Sequence, residues 1–246
     1  MSNDSFSPPP YRGGMRTRTV ITLTTIGAVV VVGAVVAFAG PVFYRDVIVG
    51  APDPTPTIAL ESTAGSGATI APADVQGDWQ TGDGSYAGYR VDEVLNGTDV
   101  TVDGRTEQVT GTVTVEGESV TAASFAVDVD SIATDQGSRD SYFRNTAMQT
   151  FRYPTATFTL TQAVAAASTP RLGEKQTVTA TGDLMLRGVT NRVEVTMDVV
   201  FDGSRAQVAG RIPITFADYG VEAPNLGFVK VEDAGFVEFS LVLTKK

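Results

Sequence analysis

Beyond about residue 74 the chain alternates apolar and polar residues with period two, and this alternation sets the expected fold. Val193, Val195, Met197 and Val199 alternate with Glu194, Thr196 and Asp198, which sends successive side chains to opposite faces of a strand. The same reading applies to Phe239, Leu241 and Leu243, to Val208, Gly210, Ile212, Ile214 and Phe216, and to Val178, Ala180, Leu184 and Leu186. Looser versions run through Val109, Gly111, Val113 and Val115, through Phe125, Val127 and Val129, and through Ala156, Phe158 and Leu160. With residues 85–94 added, about eight strands are predicted. Asn96-Gly97, Asp103-Gly104, Glu116-Gly117-Glu118, Arg187-Gly188 and Asp202-Gly203 are the turn signals between them. The expected class is all-β, an antiparallel barrel or sandwich. Residues 138–153, SRDSYFRNTAMQTFRY, lack alternation and are expected to form a short helix and loop at one end. Pro213 interrupts a good strand and belongs at an edge or bulge, and Gly111, Gly182 and Gly210 mark bends or bulges.

The first third is different. Residues 1–18 open with a Ser/Pro/Gly-rich stretch and are expected to be a disordered cytoplasmic tail. Residues 19–44 contain no charge and are rich in Val, Ala, Ile and Gly. That length exceeds the roughly 20 residues a helix needs to cross a bilayer, so a single transmembrane anchor is predicted. Arg12, Arg16 and Arg18 precede the run, which orients the amino terminus inward and the rest of the chain outside the cytoplasm. The alternative is a signal peptide cleaved after Ala37-Phe38-Ala39 and a secreted domain. Residues 45–73 are rich in Pro, Gly, Ser and Thr and read as a linker, with the barrel domain at 74–246.

Composition narrows the function. The chain has no cysteine and no histidine, which excludes disulfides, thiolate chemistry and any His-dependent triad or zinc site. The 14 basic and 24 acidic residues from Asp74 onward carry the whole net charge of −10. An acidic domain without a basic stripe is not expected to bind nucleic acid.

Three stretches together resemble the YceI-like family. They are DSIATDQGSRDSYFRNTAMQTFRYPTATFT at 130–159, GDLMLRGVTNRVEV at 182–195, and FADYGV at 216–221 before a final apolar strand. The resemblance implies an eight-stranded, lipocalin-like antiparallel barrel that encloses an isoprenoid or other long amphiphile. The chain departs from the family at GYRVDE, residues 88–93, where many members carry a His.

Candidate site residues follow from the inward face. Phe125, Val127, Phe143, Phe158, Leu160, Leu184, Leu186, Val195, Met197, Ile212, Ile214, Phe216 and Phe239 are the expected lining of the barrel. Arg139, Asp140 and Arg187 are candidates for head-group contacts at its mouth, or alternatively for structural ion pairs and caps. Trp79 and Tyr89 are expected in the core or as barrel-end plugs. Ser138, Ser141 and Thr190 have no His or Cys to activate them, so no catalytic residue is assigned. Asp128, Asp130 and Asp135 lack the spacing of a calcium loop. No metal or cofactor is expected. The expected function is an extracytoplasmic binding or carrier module for an isoprenoid or other lipid-like ligand, not an enzyme. The alternative is a solid barrel, packed by its own side chains, that acts through an unidentified protein partner in the cell envelope.

Overall fold

The alternating segments become a closed wall in the computed structural model, which describes residues 52–58, 67–95, 97–166, 168–225 and 229–246. The predicted tail and anchor, residues 1–44, lie outside these. Among the described residues no helix is long and apolar enough to cross a membrane.

The strands are β1 (Gly77–Thr81), β2 (Tyr86–Leu95), β3 (Thr98–Thr106), β4 (Val109–Glu116), β5 (Ser119–Asp128), β6 (Thr155–Leu160), β7 (Val164–Ala165), β8 (Gln176–Leu186), β9 (Val189–Phe201), β10 (Arg205–Thr215) and β11 (Val229–Lys245). Antiparallel pairing in the order β1, β4, β5, β6, β8, β9, β10, β11 returns to β1 and closes an eight-stranded barrel. β11 is long enough to serve two neighbours on one edge. Its last residues pair with β1 through Trp79 opposite Lys245, and its earlier part pairs with β2 through Phe239 opposite Ala87. The β2–β3 hairpin thereby extends the wall beyond the ring.

Two expectations change. β1 was not predicted, because GDWQT carries a single large apolar residue. Asp103-Gly104, read as a turn, lies inside β3. A Cβ on Gly104 would come within 2.7 Å of the Tyr89 ring, so the glycine serves close packing and not reversal. The other turn signals hold: Arg187 and Gly188, with φ of 49° and 77°, form the two-residue link between Leu186 and Val189, the geometry of a tight hairpin. Pro213 sits where β10 still pairs with β11 but its pairing with β9 has ended at Arg211 opposite Thr196, so its missing N–H faces an unpaired edge.

The three inward glycines have one structural role. A Cβ on Gly111 would lie 2.1 Å from the Phe125 ring, on Gly182 2.2 Å from Phe158, and on Gly210 2.9 Å from Phe239. Each phenyl ring packs against a neighbouring glycine, as aromatic residues cover glycines in curved sheets.

The outer wall carries a charged cluster. Glu238, 1% exposed, accepts a 2.7 Å bond from Arg90 Nε, and Asp103 and Arg105 stand beside them. Part of the expected linker lies on this cluster. Asp53 N donates to Asp103, Arg90 Nη2 donates to the Asp53 carbonyl, and Arg105 bonds both the Asp53 carboxylate and the Pro54 carbonyl. Buried charge is tolerated only when its groups are paired in this way.

Gly111→Val is expected to destabilise the protein by about 1–3 kcal/mol through overpacking against Phe125. Combined with Phe125→Ala, it should cost less than the sum of the two single changes, measured by urea unfolding as a double-mutant cycle. Additive losses would show that the ring and the glycine are not coupled.

Candidate functional site

The inward side chains enclose a cavity of about 300 Å³. Its volume is at the lower end of ordinary ligand sites, roughly 300–1,000 Å³. Phe125, Val127, Phe158, Leu160, Leu184, Leu186, Val195, Met197, Ile212 and Phe239 line it. Val109, Val113, Leu241 and Leu243, from the alternating segments, also line it, as do Ile70, Val75, Trp79 and Ala87. Phe143, Ile214 and Phe216 do not reach it. Phe143 and Ile214 belong to the cluster around Val129, Ile132, Met148 and Tyr219 that fills one end, and Phe216 packs beside Val91, Val100 and Val102.

The two ends of the barrel differ because different connections cross them. At one end the chain between β5 and β6 folds over the opening as α2 (Gly137–Tyr142) and a π-helical turn (Phe143–Ala147). Val129, Ile132, Met148 and Tyr219 are buried there, and Phe143 stacks on Tyr89 at 4.8 Å between ring centroids. This end is closed. At the other end lie the β4–β5 turn, the loop 170–174 and the start of β8. Apart from Thr157, the polar lining residues Glu118, Arg171, Glu174 and Gln176 are all here. This end is the mouth.

Arg139, Asp140 and Arg187 lie at the closed end, away from the mouth where a head group was expected to meet them. Arg139 donates to Asp135 at 2.8 Å and to Glu93 at 3.5 Å. Asp140, 8% exposed, accepts from the Thr134 backbone N–H at 2.9 Å and from its hydroxyl at 2.8 Å, bracing the approach to α2. Arg187 sits in the β8–β9 turn beside Gly220. The bonds of Arg139 and Asp140 are thus structural ones, while the mouth residues Glu118, Arg171, Glu174 and Gln176 carry no motif that singles them out in the sequence.

Other candidate chemistry is dispersed. Asp128 accepts from the Asp130 N–H, Asp130 accepts from the Thr150 hydroxyl, and Asp135 pairs with Arg139, so the three carboxylates serve separate local contacts. Among the described residues no group of three or more acidic side chains is placed to hold a metal. Trp79 is 3% exposed, meets Phe201 edge-on and donates its indole N–H to the Val75 carbonyl at 2.8 Å.

A family model described as a YceI-like domain matches residues 81–243. The chain belongs to the YceI-like family. Among solved structures, this YceI-like barrel is similar to one described as a polyisoprenoid binding domain from Saccharophagus degradans implicated in plant cell wall breakdown. That likeness has a TM-score of 0.55 at 20% identity and covers 70% of this chain and 99% of the other. It is also similar to BcnA of Burkholderia cenocepacia, with a TM-score of 0.53 at 22% identity over 64% of this chain and 95% of the other. At such identities the likeness establishes the fold alone. No curated protein sequence matches.

Tyr89 gives the closed end a measurable signature. Burial raises its phenol above the ordinary value of 10.0; the nearby Arg139 pulls the other way, and Asp140, Glu93 and Asp103 add to the rise. A phenol whose folded pKa is raised contributes stability that is complete below pH about 10 and lost as pH rises toward the folded value. Tyr89→Phe should therefore lose less stability than the parent between pH 8 and pH 11.5, measured by urea unfolding at each pH. Equal losses would assign the alkaline sensitivity to other groups.

Proposed function

We propose that the protein is an extracytoplasmic binding module that holds an isoprenoid or similar long-chain amphiphile inside its barrel, beside the membrane to which the amino-terminal segment fastens it. The observation that supports this most directly is the cavity: apolar along its walls, plugged at one end and polar at the other. Such a shape matches a molecule with a long apolar body and one polar terminus. Burial of apolar surface contributes about 25 cal/mol per Å², so a slim chain binds without any charged contact. Membership of the YceI-like family and likeness to a barrel described as polyisoprenoid binding support the same ligand class. The uncharged run at 19–44 and the arginines before it support this location. Holding a ligand in this way requires no acid, base or nucleophile, and the reading is one of binding and not of catalysis.

The alternative of a solid barrel is disfavoured by how the aromatic residues are used. Phe125, Phe158 and Phe239 are large inward side chains, and each packs against a glycine that leaves room for its ring at the wall.

Met197 lines the cavity and Thr196, its neighbour on β9, faces outward. Met197→Trp should lower the amount of lipid recovered by solvent extraction and mass spectrometry from the detergent-purified full chain roughly tenfold, a loss of about 1.4 kcal/mol. It should leave stability within about 1 kcal/mol of the parent, since bulk added to a hollow avoids the strain of overpacking. Thr196→Trp should change neither. A Met197→Trp protein that unfolds early, with no lipid in the parent to lose, would establish the solid barrel instead.

A further inference from the structure

The mouth is not simply open. Residues 67–70 cross it and form an isolated antiparallel bridge, Thr69 opposite Arg171, with the loop 170–174. The bridge is made by three backbone bonds: Gly67 N–H to the Leu172 carbonyl at 2.8 Å, Leu172 N–H to Ala68 at 2.8 Å, and Ile70 N–H to Pro170 at 3.0 Å. Arg171 Nη1 adds a bond of 3.2 Å to the Gly67 carbonyl. From this short strand Ile70 turns inward. It is 6% exposed, packs with Trp79, Phe201 and Leu243, and lines the cavity itself.

The two halves of the bridge are held differently. The loop is fixed to the barrel rim by the Gly173 N–H to Phe201 carbonyl bond at 2.8 Å. The strand runs on into α1 (Pro72–Val75), where the Trp79 indole donates to the Val75 carbonyl and Lys245 Nζ to the Ala73 carbonyl. Swinging it away breaks the bonds to the loop and withdraws one apolar side chain, without opening any strand of the barrel. The family match begins at residue 81, so this segment precedes the matched portion.

We infer that residues 67–70 are a gate over the mouth of the cavity and that Ile70 is the side chain a ligand displaces on its way in and out. The gate rests on the binding function proposed above. It controls how fast a ligand exchanges more than how tightly it is held, because the walls that bury the ligand are elsewhere.

The natural chain has no cysteine, so a designed pair has no competitor. The bonds flanking the bridge make Thr69 and Arg171 a non-hydrogen-bonded pair, with Cα atoms about 4.5 Å apart. That separation is within the range a disulfide spans. Thr69→Cys/Arg171→Cys is made in the full chain, and cis-parinaric acid, a fluorescent long-chain acid, is the probe. Oxidised protein should take up and release the probe at least about tenfold more slowly than the same protein after reduction. Ile70→Ala, without any crosslink, should release it several-fold faster than the parent. Equal rates for oxidised and reduced protein, with the probe bound by both, would overturn the gate and leave the binding function standing. Failure of the reduced protein and of the parent to bind the probe, or to yield lipid on extraction, would overturn the binding function and the gate with it.

Discussion

Everything in the barrel depends on the register of β11. This strand pairs along one edge with β10 and along the other with β1 and β2, so it carries the closure of the ring and the attachment of the extra hairpin together. A slip of one residue would turn Phe239 and Leu241 to the solvent and bring Glu238 inside, since neighbouring residues point to opposite faces. The pair formed by Glu238 and Arg90 on the outer wall opposes that slip. Its 2.7 Å bond exists only in the native register, and a carboxylate turned into the apolar interior would be left uncompensated. The outward charge cluster therefore secures the inward apolar face, and the segment around Asp53 closes over it and joins the same network.

Within that frame the cavity is an outcome of how aromatic bulk is stored. Three inward phenylalanines take up bulk along the wall. Glycines at 111, 182 and 210 leave room for their rings at the wall, beside the cavity that they line. The apolar lining offers few directional contacts, so under the proposed function discrimination among ligands falls to length and girth, with the polar end met only at the mouth.

The strands were legible where large apolar residues recur on alternate positions, as in β8 to β11, because burial of one face writes itself directly into the sequence. β1 was hidden by its brevity and β3 by a dipeptide whose local preference for turning is overridden by packing against Tyr89. Most of the lining could be named from alternation alone. Which end of the barrel is open could not, since that depends on which connections happen to cross each end. Arg139, Asp140 and Arg187 stood out by motif yet lie at the plugged end. Ile70 and Asp53 were concealed for a different reason: each is a single anchoring residue in a stretch whose overall composition is that of a spacer, and composition averages such anchors away.

Trp79 is the only tryptophan in the chain, and it sits buried at the mouth, against the cavity and in the same cluster as Ile70. The protein thus carries its own optical reporter at the place where contents and solvent meet. Indole emission shifts with the polarity around the ring, so its colour registers whether that space is filled, empty or wet. Ligand exchange of the kind proposed can be followed in the unlabelled molecule, by light from a residue that the fold has already placed at the mouth.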